Sequence, residues 1–344
     1  MKKNQPVNKN NNQSKSNLTL VLALVICLIV LAVLIVCVVQ KFTPDDNTDP
    51  AIQDDTLYIE LPVTKGMGLG EAKELLDMAD ISYEVISTES KIPNRIENIE
   101  YVGKTEGGKA LVEVGTSVKL HANEVGVDKI VYLTFDDGPT QDNTDAILDM
   151  LDDYGIKATF FVEGYDVHRF PEKMKETYRR GHLIGCHSYS HQYENIYSST
   201  DDFLSEIEQY EDALKSAIGN EAFHSMPKVL RFPGGTNNYL LGKAEALEYI
   251  SAIRGEGYGV YDWTALTNDA DDRYRLEGES DSEYFVRSLR EGLESAKNKQ
   301  QHLIVLMHDK MTMRDALGDV LDYLVSEGYY FDTIDNCPEY TFVE

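Results

Sequence analysis

The longest uninterrupted apolar run in the chain spans residues 18–39, without a charge or a proline. As a helix it is long enough to cross a hydrocarbon layer, which needs ~20 residues. It reads as an uncleaved transmembrane helix rather than a signal peptide, because Gln40, Lys41 and Phe42 follow where a small-residue cleavage site would stand. Residues 40–56 then turn polar and acidic, with Pro44 and Pro50, and predict a linker. In 57–123 the periods are short. A strand is expected near 57–61, a helix with Leu69, Ala72, Leu75 and Leu76 on one face, and strands in ISYEVIS from Ile81 and SVKLHA from Ser117.

From residue 128 onward, apolar strands alternate with helical segments. KIVYLTF from Lys129, KATFFV from Lys157, VLRF from Val229, GVYDW from Gly259 and LIVLMH from Leu303 predict strands, and 142–154, 171–180, 201–217 and 281–297 predict helices. This order predicts an α/β fold with a parallel sheet, open or closed into a barrel, and functional groups at the carboxyl ends of its strands.

Charge orients the chain. Lys2, Lys3, Lys9 and Lys15 precede the apolar run, whereas Lys41 is outnumbered by Asp45, Asp46, Asp49, Asp54 and Asp55 after it. The positive-inside rule leaves residues 1–17 as a cytoplasmic tail and everything beyond 39 outside, as a single-pass protein of the cell membrane. A formal net charge of -27 repels phosphates and argues against nucleic-acid binding. Cys27 and Cys37 lie in the apolar run. Cys186 and Cys337 remain as either a disulfide or two buried thiols.

Polar residues capable of chemistry gather where predicted strands end. Asp136 and Asp137 precede Gly138-Pro139, so one acid can bind a metal while the other meets a proton. His187 and His191 are four apart, a spacing that would place both imidazoles on one face of a helical turn. Ser188 stands where an H-E-x-x-H protease needs glutamate, which excludes that class. Two histidines and one aspartate suit zinc or another first-row ion with positions left open. Arg231 in RFPGG and His308 in LMH end two further strands, and Tyr189, Tyr193 and Tyr197 are either sugar platforms or packing residues.

The ordered set TFDDGP, HSYSH, RFPGG and LMH resembles the polysaccharide deacetylase family, also called the NodB homology domain or carbohydrate esterase family 4, over residues 128–342. The resemblance implies a distorted, incomplete (β/α) barrel that hydrolyses acetyl groups on a glycan. It implies Asp137, His187 and His191 as ligands of a divalent metal, zinc first, with cobalt, nickel or manganese as alternatives. Asp136 would be the general base, held by Arg231, and His308 the general acid. The backbone N–H of Gly234, after Pro233, would meet the oxyanion, and Leu306 would wall the acetyl methyl. The carboxylate expected beside the acid is Asp269 in Thr267-Asn268-Asp269-Ala270, where Ala270 takes the usual tryptophan position and Trp263 is the available ring.

Residues 57–123 resemble a PASTA module through Pro62, GMGLGEAKELL from Gly66 and VGTSVKL ending at Leu120. Together these resemblances imply a membrane-anchored enzyme removing N-acetyl groups from peptidoglycan N-acetylglucosamine or N-acetylmuramic acid. The alternatives are an esterase for O-acetyl xylan or another glycan, and a wall-binding or sensory protein without turnover.

Overall fold

The computed structural model describes residues 56–90 and 93–343, so the apolar run at 18–39 and the linker up to residue 55 lie outside the described residues. Among those described, no helix is long and apolar enough to cross a membrane.

The first unit contains β1 (Tyr58–Glu60), α1 (Leu69–Met78), β2 (Tyr83–Ser87), β3 (Ile96–Glu100), β4 (Gly103–Glu106), β5 (Lys109–Glu113) and β6 (Val118–Ala122). The strands form two three-stranded sheets, β1-β5-β4 and β2-β6-β3. Leu69, Ala72 and Leu76 of α1 share a core with Ile81, Ile96, Val112, Val118 and Leu120. Strands β3 to β5 escaped the periodic reading because their faces are mostly wet. The GKTE of β4 is exposed throughout, and β3 buries only Ile96 fully.

The second unit begins with β7 (Ile130–Gly138), α2 (Thr144–Tyr154), β8 (Thr159–Val162), α3 (Gly164–Arg169), α4 (Pro171–Arg179) and β9 (Leu183–Cys186). It continues through α5 (Tyr193–Ile196), α6 (Thr200–Ile218), α7 (Asn220–Ser225), β10 (Val229–Leu230), α8 (Lys243–Gly255), β11 (Gly259–Val260) and β12 (Ala265–Leu266). It ends with α9 (Asp281–Asn298), β13 (Leu303–His308), α10 (Met311–Ser326) and β14 (Tyr330–Phe331). The sheet runs β11-β10-β9-β8-β7-β13-β12, with β14 beside the start of β7, and every pairing is parallel.

Strand β7 explains why such a sheet needs nearly continuous apolar runs. Val131, Leu133 and Phe135 face a core shared with the helices, whereas Ile130 and Tyr132 face a second core with Phe161, Leu183, Val229, Ile304 and Ile334 on the inside of the curl. The result is an open, curled parallel half-barrel. Cys186 and Cys337 are both free and buried, and they belong to these two different cores, so the thiol alternative holds and the disulfide does not form.

Five helices, α3, α5, α7, α8 and α10, lie where the sequence pattern predicts none. The strands containing VLRF and GVYDW shrink to two residues each. Arg231 directly follows β10, and Asp262 lies two residues beyond β11.

Candidate active site

The two acids that end β7 separate because the backbone turns between them. Asp137 adopts a left-handed φ of 68°, and the β7–β8 register shifts between Asp136 and Gly138. Asp136 therefore stays buried at 3% exposure, while the Asp137 side chain is 39% exposed.

His187 directly follows β9. Its Nδ1 lies 2.9 Å from the Arg231 carbonyl oxygen, which fixes the ring and directs Nε2 toward the acids. Nε2 is 3.5 Å from Asp137 Oδ1 and 3.6 Å from Asp136 Oδ2. Burial holds the His187 pKa down at about 3 despite the Asp137 charge, so the ring is neutral, the form that binds a metal.

His191 arrives by a different route from the one its spacing suggested. Residues 187–192 are not helical, and Ser188 and His191 both take left-handed φ values, 67° and 55°. The turn is tied from outside by Glu206 of α6. Its carboxylate accepts from the Tyr189 and Ser190 backbone N–H groups at 3.0 and 2.7 Å and from Ser190 Oγ at 2.9 Å. This loop brings His191 Nε2 to 3.4 Å from Asp137 Oδ1.

The donor set fits a divalent ion. One ligand atom from each of Asp137, His187 and His191 lies within 4.8 Å of the others. The aspartate–histidine separations of 3.4 and 3.5 Å match the ~3.3–3.5 Å edge of a tetrahedron with arms of ~2.0–2.1 Å.

Arg231 is fully buried beneath this cluster. Nη1 donates to Asp136 Oδ1 at 2.8 Å and Thr134 Oγ1 at 2.5 Å, Nε donates to the Tyr261 carbonyl at 2.9 Å, and Nη2 to the Asp262 carbonyl at 3.2 Å. Phe161 lies 4.3 Å under the guanidinium. Burial raises the Asp136 pKa, and Arg231 and His308 only partly oppose it. A carboxylate poised above its ordinary range is a better proton acceptor.

His308 ends β13 directly beside Asp136 in the ladder. Asp269, beyond β12, meets it twice. Oδ1 is 3.1 Å from His308 Nδ1, and Oδ2 accepts the His308 backbone N–H at 3.0 Å. Thr267 Oγ1 donates to Asp269 Oδ1 at 2.9 Å, and Lys310 Nζ stands 3.7 Å from Oδ2. Burial pulls the His308 pKa down, but the Asp269 hydrogen bond and charge, with Asp136 and Asp137, outweigh it, and the net shift is upward.

Gly234 turns after Pro233 with φ 75°, and Leu306 is buried in β13 near the strand end. Ala270 is exposed, whereas Trp263 is half-buried against the RFPGG corner. Its edge packs on Phe342 with centroids 5.0 Å apart, and it would touch a Cβ on Gly235 at 3.0 Å. It supports the RFPGG corner from below, 5.8 Å from the Arg231 guanidinium.

Several supporting residues had no legible signal. Asp262 accepts from the backbone N–H groups of Thr236 and Phe342 and from the Thr236 hydroxyl, tying the RFPGG loop to the end of the chain. Asp309 accepts from Thr140 Oγ1 at 2.9 Å and Thr144 Oγ1 at 2.5 Å, clasping the turn after Asp137. Glu163, raised to about 8 by burial and by Asp137 and Asp166, adds a further carboxyl near the metal-type cluster.

A profile described as polysaccharide deacetylase matches residues 124–250. A peptidoglycan-N-acetylglucosamine deacetylase of Bacillus cereus is 31% identical over 217 residues, covering 62% of this chain and 90% of that protein. The chain belongs to the polysaccharide deacetylase family. As a member of this family, carbohydrate esterase family 4, it is a hydrolase of a metal-dependent class. The peptidoglycan-N-acetylglucosamine deacetylase PgdA of Listeria monocytogenes is 28% identical over 299 residues, 84% of this chain but only 58% of that protein. The catalytic domain of peptidoglycan N-acetylglucosamine deacetylase from Eubacterium rectale superposes with a TM-score of 0.50 at 29% identity, covering 63% of this chain and 90% of that one. The deacetylase half-barrel thus accounts for the second unit.

Proposed function

We propose that this deacetylase removes N-acetyl groups from peptidoglycan, most directly from N-acetylglucosamine, outside the cell and tethered by the apolar run at 18–39. The observation that carries the reading is the convergence on one sheet end of the Asp137, His187 and His191 donors with an Arg231-held carboxylate and an Asp269-held imidazole. Relatives named for peptidoglycan support the substrate class. The charge asymmetry about the apolar run supports the outward placement.

Asp137, His187 and His191 would hold the ion, with zinc first by donor type. A divalent cation bound there acidifies water and polarises a carbonyl oxygen. Asp136 takes the proton from the attacking water, its orientation held by Arg231 and Thr134. The Gly234 N–H meets the developing oxyanion. His308, kept protonated by Asp269, gives its proton to the departing amine. The PASTA-like unit of residues 57–123 acts as a spacer that carries the half-barrel away from the membrane.

The test is acetate release from peptidoglycan and N-acetylglucosamine oligomers by the full chain in detergent. Activity should vanish with a chelator, return with added zinc, and be lost in Asp136→Asn. A metal-loaded protein that frees no acetate from any acetylated glycan contradicts the reading, and release from O-acetyl xylan alone moves it to the esterase alternative.

A further inference from the structure

The three tyrosines around the histidine turn have separate fates. Tyr197 is a packing residue, stacked with Phe203, Phe232 and Tyr249, and its hydroxyl donates to the Pro233 carbonyl at 2.8 Å. Tyr189 sets its ring edge to face against Tyr165, 6.3 Å away. Tyr193 alone turns toward the reacting groups. Its ring centroid lies 5.4 Å from that of His191 and 6.1 Å from that of Tyr239, which is 81% exposed. These residues, with Gln192 and Glu194, line an open depression of about 540 Å³.

The decisive contact is with Gly234. A Cβ built on this glycine would lie 2.7 Å from Tyr193 Oη and 3.0 Å from Tyr193 Cε2. The phenol therefore fills the space in which a side chain at 234 would begin, beside the backbone expected to meet the oxyanion. Tyr193 is only partly buried, and its hydroxyl has no hydrogen-bond partner among the described residues.

We propose that the Tyr193 hydroxyl is a second donor to the acetyl oxygen, acting beside the Gly234 N–H as a catalytic residue of the deacetylation. The inference rests on the deacetylase reading above. As the water oxygen bonds to the carbonyl carbon, the C=O π pair moves onto oxygen and the water proton goes to Asp136. Tyr193 then donates a hydrogen bond to that oxygen and transfers no proton. On collapse the pair reforms C=O, the C–N bond breaks toward nitrogen, and His308 supplies the amine proton. A donor aimed at charge that develops only in the transition state acts on kcat more than on KM.

The test is Tyr193→Phe, which keeps the ring against His191 and Tyr239 and removes one oxygen. With metal content and melting temperature unchanged, kcat should fall on the order of 10²-fold, with little change in KM and the same pH profile. A kcat equal to wild type overturns the inference and leaves the deacetylase reading intact. If the wild-type chain turns over no glycan, that reading fails instead, and calorimetry with acetohydroxamate on the metal-loaded protein decides the inference. Binding weakened about tenfold or more in Tyr193→Phe then supports the donor. Equal affinity overturns it.

Discussion

Asp136 and His308 are direct ladder neighbours across β7 and β13, yet each is held by a different partner from elsewhere in the chain. Arg231 grips Asp136 at 2.8 Å, and Asp269 grips His308 at 3.1 Å. Two groups that must differ by a proton thus sit side by side, one stabilised as acceptor and one as donor.

Asp269→Asn should move the alkaline limb of the kcat profile to lower pH. The folded His308 pKa is raised chiefly because the Asp269 hydrogen bond and charge overcome burial. Without that charge the imidazolium loses its proton at a lower pH, and above this point the amine leaves without an acid. A kcat profile across pH checks this, with a loss at mildly alkaline pH on the order of 10²-fold. An unmoved limb would show that His308 is not the group titrating there.

Arg231→Met should destabilise the fold as well as the reaction. It would leave Asp136 buried and unpaired and strip donors from Thr134, Tyr261 and Asp262. Removing one partner of a buried ion pair costs roughly 3–5 kcal/mol, which urea denaturation would read. Asp136→Asn, which retains an acceptor for Arg231, should cost less stability while abolishing acetate release.

Glu206→Ala should weaken metal binding although Glu206 is not a member of the donor cluster. Its carboxylate accepts three hydrogen bonds from the turn between His187 and His191. Loss of such support typically costs 10–100-fold in metal affinity. Calorimetric zinc titration measures it, and Glu206→Gln, which keeps an acceptor for the backbone donors, should recover part of the loss.

His187→Ala and His191→Ala should each reduce zinc affinity more than Glu206→Ala does. Each removes a donor from a three-residue set, and stoichiometry by elemental analysis after dialysis checks it. Retention of one ion per chain in both variants would contradict the donor assignment.

Contiguous sequence was enough to determine the elements that bury themselves on both faces. IVYLTF and LIVLMH had no wet alternative, so their strands, and therefore the positions of Asp136, Asp137 and His308 at strand ends, followed from local pattern alone. The first unit, residues 57–123, was legible only where one face is apolar, and β4, exposed throughout, left no trace. The spacing of His187 and His191 predicts a helical turn, which the structure does not form. Two left-handed residues and the Glu206 carboxylate, sixteen residues beyond Ser190, bring the imidazoles together instead. Tertiary structure alone decided the grips of Glu206, Asp262 and Asp309, the division of labour among Tyr189, Tyr193 and Tyr197, and the burial that raises Asp136. These depend on which distant groups a parallel sheet brings to one edge, and no local period in the chain encodes that distance.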